Sequence, residues 1–255
     1  MKDGRSRESA DGPRENRAAA TSSVFVLIHS PFVGPTTWSP VARELERRGR
    51  KAVVPSLLGI ADVEGPQWHR AGEAVRAAVA STADRVVLVG HSGGGLLLPT
   101  IADTLAAKVA ALLFVDSFLP PPSGSMRLGP PEFADQLRAL ATDGVLPPWS
   151  SWFGEDAMRE LVPDDRLRTT LEDEMPRLPL SYLDASVPIP DDWDARLCAY
   201  LLLAGEPYGK SAADARRRGW PVAEISGVQH LAIATEPPVV TDALLELEGA
   251  LLGSP

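Results

Sequence analysis

Val86-Val87-Leu88-Val89-Gly90-His91-Ser92-Gly93-Gly94-Gly95 is a β-branched apolar run that breaks into a glycine-flanked serine. It reads as a buried strand driven into a sharp turn with Ser92 at its apex, followed by a helix over roughly Gly93 to Leu105. Such a turn holds the serine in a strained backbone conformation. The residues two before and two after it must then lack a Cβ, and Gly90 and Gly94 do. The first amides of the helix and its positive dipole end point at any oxyanion that forms above Ser92, so one segment supplies a nucleophile and a donor from Gly93.

The rest of the chain alternates apolar strands with amphipathic helices from Val24 onward, the pattern of an α/β fold built on a parallel sheet. Strands are expected at Val24–Ile28, around Ala52–Val54, at the turn itself, at Val109–Val115, at Tyr200–Ala204 and near Val222–Ile225. Helices are expected at about 37–48, closed by Gly49, then 68–80, 212–218 and 239–251, the last packing Val240, Leu244, Leu247 and Leu251 inward. That makes six parallel strands. Between about Pro120 and Trp193 the rhythm is lost to prolines, tryptophans and short helical patches with no central strand. The organisation expected is a disordered leader over 1–21, a core over 22–119 and 197–255, and a helical lid over 120–196, inserted after the fourth strand. A lid at the carboxyl ends of the strands covers the crevice where open α/β sheets bind ligands, with Trp149, Trp152, Phe153, Met158 and Trp193 lining an apolar pocket beneath it.

Composition narrows the partners. The 255 residues suffice for one sizeable core, and a formal charge of −9 repels nucleic acid and anionic membrane alike. A small apolar molecule is the partner expected, with no cofactor and no metal cluster; a homodimer is compatible with the sequence. The single cysteine, Cys198, excludes an internal disulfide and reads as a small buried hydrophobe. The leader mixes charges of both signs with almost no large apolar group, so it cannot bury enough surface to fold. It carries no apolar signal region, and no later stretch spans a bilayer, so a cytoplasmic location is expected.

A serine hydroxyl needs a base within hydrogen-bond reach and an acid to hold that base in the right tautomer. Of four histidines, His91 lies inside the turn and points away from the reacting face, His69 starts a helix, and His29 ends the first strand, where it braces the following loop. His230, in Gly227-Val228-Gln229-His230-Leu231, follows the last strand, and its loop at the carboxyl edge of the sheet can reach Ser92. His230 is the expected base.

Taken together, His29-Ser30-Pro31-Phe32-Val33-Gly34 after the first strand, the Gly90-His91-Ser92-Gly93-Gly94 turn, the insertion after Asp116 and the late Gln229-His230 before Glu236-Pro237 resemble the α/β-hydrolase superfamily. The likeness runs from Val24 to Leu251 and is greatest to its small esterase and hydroxynitrile-lyase branch. It implies an α/β-hydrolase fold and an acid in a Gly-x-x-Asp pattern before the histidine loop. Here Gly205-Glu206-Pro207-Tyr208 places Tyr208 where that aspartate would stand. Asp116, at the end of the strand after the turn's helix, is taken as the acid in its place, with Glu206, whose following turn is fixed by Pro207, as the alternative. The resemblance also puts an oxyanion donor two residues after His29, where Pro31 has no N–H; Gly93 remains, with Ser30 or Phe32 as stand-ins. Losing one donor costs on the order of 3 kcal/mol of transition-state stabilisation, so a slow or specialised enzyme is expected.

Three functions fit these residues. The first is a serine hydrolase acting on an ester, thioester or similar acyl substrate through Ser92, His230 and an acid, with Trp149 and Trp152 in the substrate pocket. The second uses Ser92 and His230 as a proton relay for a lyase, cyclase or isomerase, for which the lost donor matters less. The third, resting on the missing Gly-x-x-Asp acid, is a non-catalytic ligand-binding protein.

Overall fold

The computed structural model describes residues 23–62, 65–82, 84–105, 108–129, 134–154 and 156–253; the leader expected over 1–21 lies outside them. In chain order the elements are β1 (Val24–Ile28), α1 (Ser39–Arg47), β2 (Lys51–Val53), α2 (Gln67–Ala78), β3 (Val86–His91), α3 (Leu98–Leu105) and β4 (Val109–Val115). The chain then leaves the sheet through β5 (Gly124–Arg127), α4 (Ala134–Leu140), α5 (Ala157–Leu161), α6 (Asp165–Asp173) and β6 (Ser186–Ile189). It returns as β7 (Cys198–Leu202), α7 (Gly209–Arg217), β8 (Val222–Glu224), α8 (Ala232–Thr235) and α9 (Pro237–Leu252).

β1, β3 and β4 are buried at every residue because helices cover both faces of the sheet. The period of two sorts their side chains. Val24, Val26, Ile28, Val86, Leu88, Leu112 and Phe114 pack with Ala71 and Val75 of α2 and Leu98 and Ile101 of α3. Phe25, Leu27, Val87, Val89, Leu113 and Val115 pack instead with Val41 and Leu45 of α1 and with Val240, Leu244 and Leu247 of α9. The six strands are all parallel in the order β2-β1-β3-β4-β7-β8. The winding therefore reverses at β1. From there the chain goes outward to β2 and then returns to β3 on the other side, so the helices after β1 and β3 lie on opposite faces and a crevice opens between the two strand ends.

Two sequence expectations change. The segment after Ser92 is not α-helical from the start: residues 92–97 are a 3-10 turn and the α-helix begins at Leu98. The run Ser92-Gly93-Gly94-Gly95 accounts for this, since consecutive glycines favour no regular helix. The insertion is also not purely helical. β5 and β6 pair antiparallel, Gly124 opposite Ile189 and Arg127 opposite Ser186, so the two ends of the insertion form a ribbon of its own outside the main sheet. Among the described residues, no helix is long and apolar enough to cross a membrane.

Candidate active site

Ser92 sits at φ +53, in the left-handed region that side chains other than glycine rarely adopt. The glycines around it are dictated by contact. A Cβ on Gly90 would lie 2.7 Å from Gly95 Cα, and one on Gly94 would lie 2.6 Å from the Ile28 carbonyl oxygen and 2.8 Å from that of His29. These are backbone atoms that cannot move aside, which presses the turn against the end of β1. Ser117 Oγ donates to the Ser92 carbonyl at 2.8 Å and ties the turn to the end of β4.

One strand further along, a buried carboxylate meets the histidine loop. Asp116, fully buried at φ +40 just past β4, accepts the Leu203 N–H at Oδ1 (2.6 Å) and the Ala204 N–H at Oδ2 (3.0 Å). Both amides lie just past β7, where the sheet no longer supplies partners. The remaining contact is His230 Nδ1, 3.0 Å from Asp116 Oδ2. A buried carboxylate there fixes the proton on Nδ1 and leaves Nε2 as the nitrogen carrying the lone pair. Glu206 does not compete. Its side chain is exposed and lines the cavity mouth rather than meeting the imidazole.

His230 is held from three further sides. His91 Nε2 donates to the His230 backbone carbonyl at 3.0 Å, with ring centroids 4.4 Å apart. Burial, reinforced by the neighbouring His230, holds the His91 pKa well below its usual range, so His91 stays neutral and does not oppose a cation on His230. Tyr208 stacks on the imidazole at 5.0 Å and 12°, and Trp149 approaches at 6.3 Å. The first of these contacts revises the reading of His91: it does turn away from the reacting face, but toward the base, whose backbone it anchors.

On the opposite wall, His29 braces the loop after β1 as expected. Its Nε2 accepts the Leu57 N–H and its Nδ1 donates to the Ser30 carbonyl, both at 2.8 Å, while burial lowers its pKa. The insertion docks on this same loop. Glu174 accepts from Thr36 N at 2.9 Å and Thr36 Oγ1 at 2.5 Å, and a Cβ on Gly34 would collide with its side chain. The same loop carries the two stand-in donors, Ser30 and Phe32. The Phe32 amide is directed at Ser30 Oγ at a long 3.4 Å, and Phe32 lines the cavity with its ring packed on Trp152 and Tyr182. Ser30 is buried and lies behind Gly93, where a Cβ on the glycine would meet Ser30 Oγ at 2.9 Å and the Pro31 ring at 3.4 Å. A Ser30 hydroxyl that accepts from Phe32 keeps its own proton free to donate.

The cavity enclosed by these walls measures about 350 Å³. Core residues Ser92, Gly93 and His230 form its floor, and Trp149, Trp152 and Phe153 of the insertion form its roof. Met158 and Trp193 are not part of it: Met158 is buried among Val33, Val162 and Leu171, and Trp193 packs on Phe114. Those apolar clusters needed the same residue types, and composition could not tell wall from core.

A model of the alpha/beta hydrolase family matches residues 25–243. The chain belongs to that family. Among its relatives, a carbendazim-hydrolysing esterase of Nocardioides sp. (strain SG-4G) is 30% identical over 139 residues, covering 51% of each chain. A probable esterase, PIR7A, of rice (Oryza sativa subsp. japonica) is 25% identical over 263 residues, covering 88% of this chain and 95% of the relative. Over the Nocardioides esterase and a rice esterase, PIR7B, the matched stretch spans only about half of the relative's length. Among solved structures, polyneuridine aldehyde esterase superposes with a TM-score of 0.66 at 19% identity, over 89% of this chain and 99% of that one, a likeness of fold.

Proposed function

We propose that the protein hydrolyses small, largely apolar esters through a Ser92-His230-Asp116 relay. One observation carries this reading: a buried carboxylate paired at 3.0 Å with a histidine that opens, together with a serine at the apex of a strained turn, on one apolar cavity. Ser92 Oγ attacks the acyl carbon and its proton passes to His230 Nε2, while Asp116 steadies the resulting imidazolium. Gly93 N–H faces the carbonyl oxygen as it gains charge, with the Ser30 hydroxyl close behind it. The tetrahedral adduct collapses, His230 returns the proton to the departing alkoxide, and an alcohol leaves. Water then repeats the sequence on the acyl-serine, releasing a carboxylic acid and restoring Ser92.

The insertion serves as a lid, with Trp149, Trp152 and Phe153 selecting substrates by apolar contact. The carboxylate of Asp116 beside His230 speaks against a non-catalytic binding protein, and the esterase names of the relatives favour hydrolysis over a proton-relay lyase. Turnover of short-chain p-nitrophenyl esters and stoichiometric labelling by a fluorophosphonate are expected of the parent, and both are lost in Ser92→Ala. Undiminished turnover in that variant would overturn the proposal.

A further inference from the structure

The position where the family's acid would stand is not idle. Tyr208 immediately precedes α7. Its ring is clamped between the imidazole of His230, stacked at 5.0 Å and 12°, and the ring of Phe118 at 5.3 Å. Its side chain interacts with that of Ser92, and the two residues line one cavity with His230. One side chain thus touches both the base and the nucleophile, and a phenylalanine would have sufficed for the stack alone. We infer that Tyr208 is a catalytic residue whose hydroxyl donates to Ser92 Oγ and steadies the negative charge that gathers there during attack.

This inference rests on the Ser92 reading above and adds a donor to it. The proton of Ser92 still goes to His230 Nε2. Tyr208 keeps its own proton throughout and only lends a hydrogen bond, so no further acid or base enters the balance. Burial pushes its pKa up to about 12 despite the interaction with Ser92, which keeps the phenol protonated and able to donate at neutral pH.

The test is Tyr208→Phe, which keeps the ring, the stack and the fit against Phe118. A purely structural tyrosine would tolerate it. The expected result is a fall in kcat/KM for a short p-nitrophenyl ester of about 10- to 100-fold, carried by kcat with KM little changed. The rate of fluorophosphonate labelling at Ser92 falls in parallel, since phosphonylation uses the same attack. Should the Phe variant fold poorly, as judged by its melting curve, 3-fluorotyrosine at position 208 preserves the shape and lowers the proton affinity of the phenol. Tyr208 faces Ser92, His230 and Asp116, and ionising it removes the donor beside the nucleophile. The fluorinated enzyme should therefore lose activity at an alkaline pH where the parent does not. Parent-like kcat/KM and labelling rate in Tyr208→Phe, or a parent-like pH profile with fluorotyrosine, overturns the role of Tyr208 and leaves Ser92 untouched. Failure of the parent itself to label overturns the underlying reading instead.

Discussion

Replacing Asp116 by Asn tests the assignment of the acid and the tautomer argument at once. Three N–H groups converge on the two carboxylate oxygens: Leu203 N at 2.6 Å on Oδ1, and Ala204 N and His230 Nδ1, each at 3.0 Å, on Oδ2. An amide offers one oxygen and brings two N–H donors. If its oxygen stays on Leu203 N, the nearest contact, its NH₂ faces both Ala204 N–H and Nδ1. The imidazole must then accept at Nδ1 and carry its proton on Nε2, where it can no longer take the proton of Ser92. A wrong tautomer in a Ser-His-acid relay costs about 10³ to 10⁴ in kcat, or roughly 4–5.4 kcal/mol at 1.36 kcal/mol per decade. Stability falls by about 1–3 kcal/mol for the buried Ala204 amide left facing a donor. Backbone strain adds little, because asparagine tolerates the φ of +40 at this position. The assay is kcat/KM on a short p-nitrophenyl ester, with urea melts beside it and Glu206→Gln as the control, since that exposed carboxylate should be dispensable. Activity within tenfold of the parent in Asp116→Asn, with its loss in Glu206→Gln, would refute the reasoning.

Gly94→Ala, whose Cβ would press within 2.8 Å of the Ile28 and His29 carbonyl oxygens, should destabilise the protein by about 3 kcal/mol or more in urea melts. Gly209→Ala, with nothing nearer than 3.9 Å, should stay within about 0.5 kcal/mol. His91 supplies a pH test: its folded pKa is depressed by burial, so below about pH 6.5 the unfolded chain binds a proton that the folded one refuses, and stability falls as pH falls. The loss from this group is about 1 kcal/mol between pH 6.5 and 5.5 and approaches about 1.4 kcal/mol per unit below that, with buried His29 acting in the same direction. His91→Gln, which keeps a donor for the His230 carbonyl but does not titrate, should flatten the slope. An unchanged slope would count against a neutral His91.

Periodicity and backbone chemistry are local, and whatever depends on them was legible in the chain itself. Apolar runs such as Val109–Val115 announce strands buried on both faces, and the glycines at 90 and 94 announce a turn that only a missing Cβ allows. The order of serine and late histidine followed from the same reading. What tertiary structure alone decided is which groups meet. Asp116 and the amides of Leu203 and Ala204 lie more than 85 residues apart, brought together because β4 and β7 are neighbours in register and end together. No spacing in the sequence distinguishes that carboxylate from Glu206, which stands on the same rim but is exposed. The roles of His91 and Tyr208 were hidden for the same reason, since a ring's partners depend on how loops from separate strands pack at one edge of the sheet. Pattern specifies elements, because it follows from each residue's own neighbours along the chain. A site depends on distances across the fold, and those exist only once the strands are aligned.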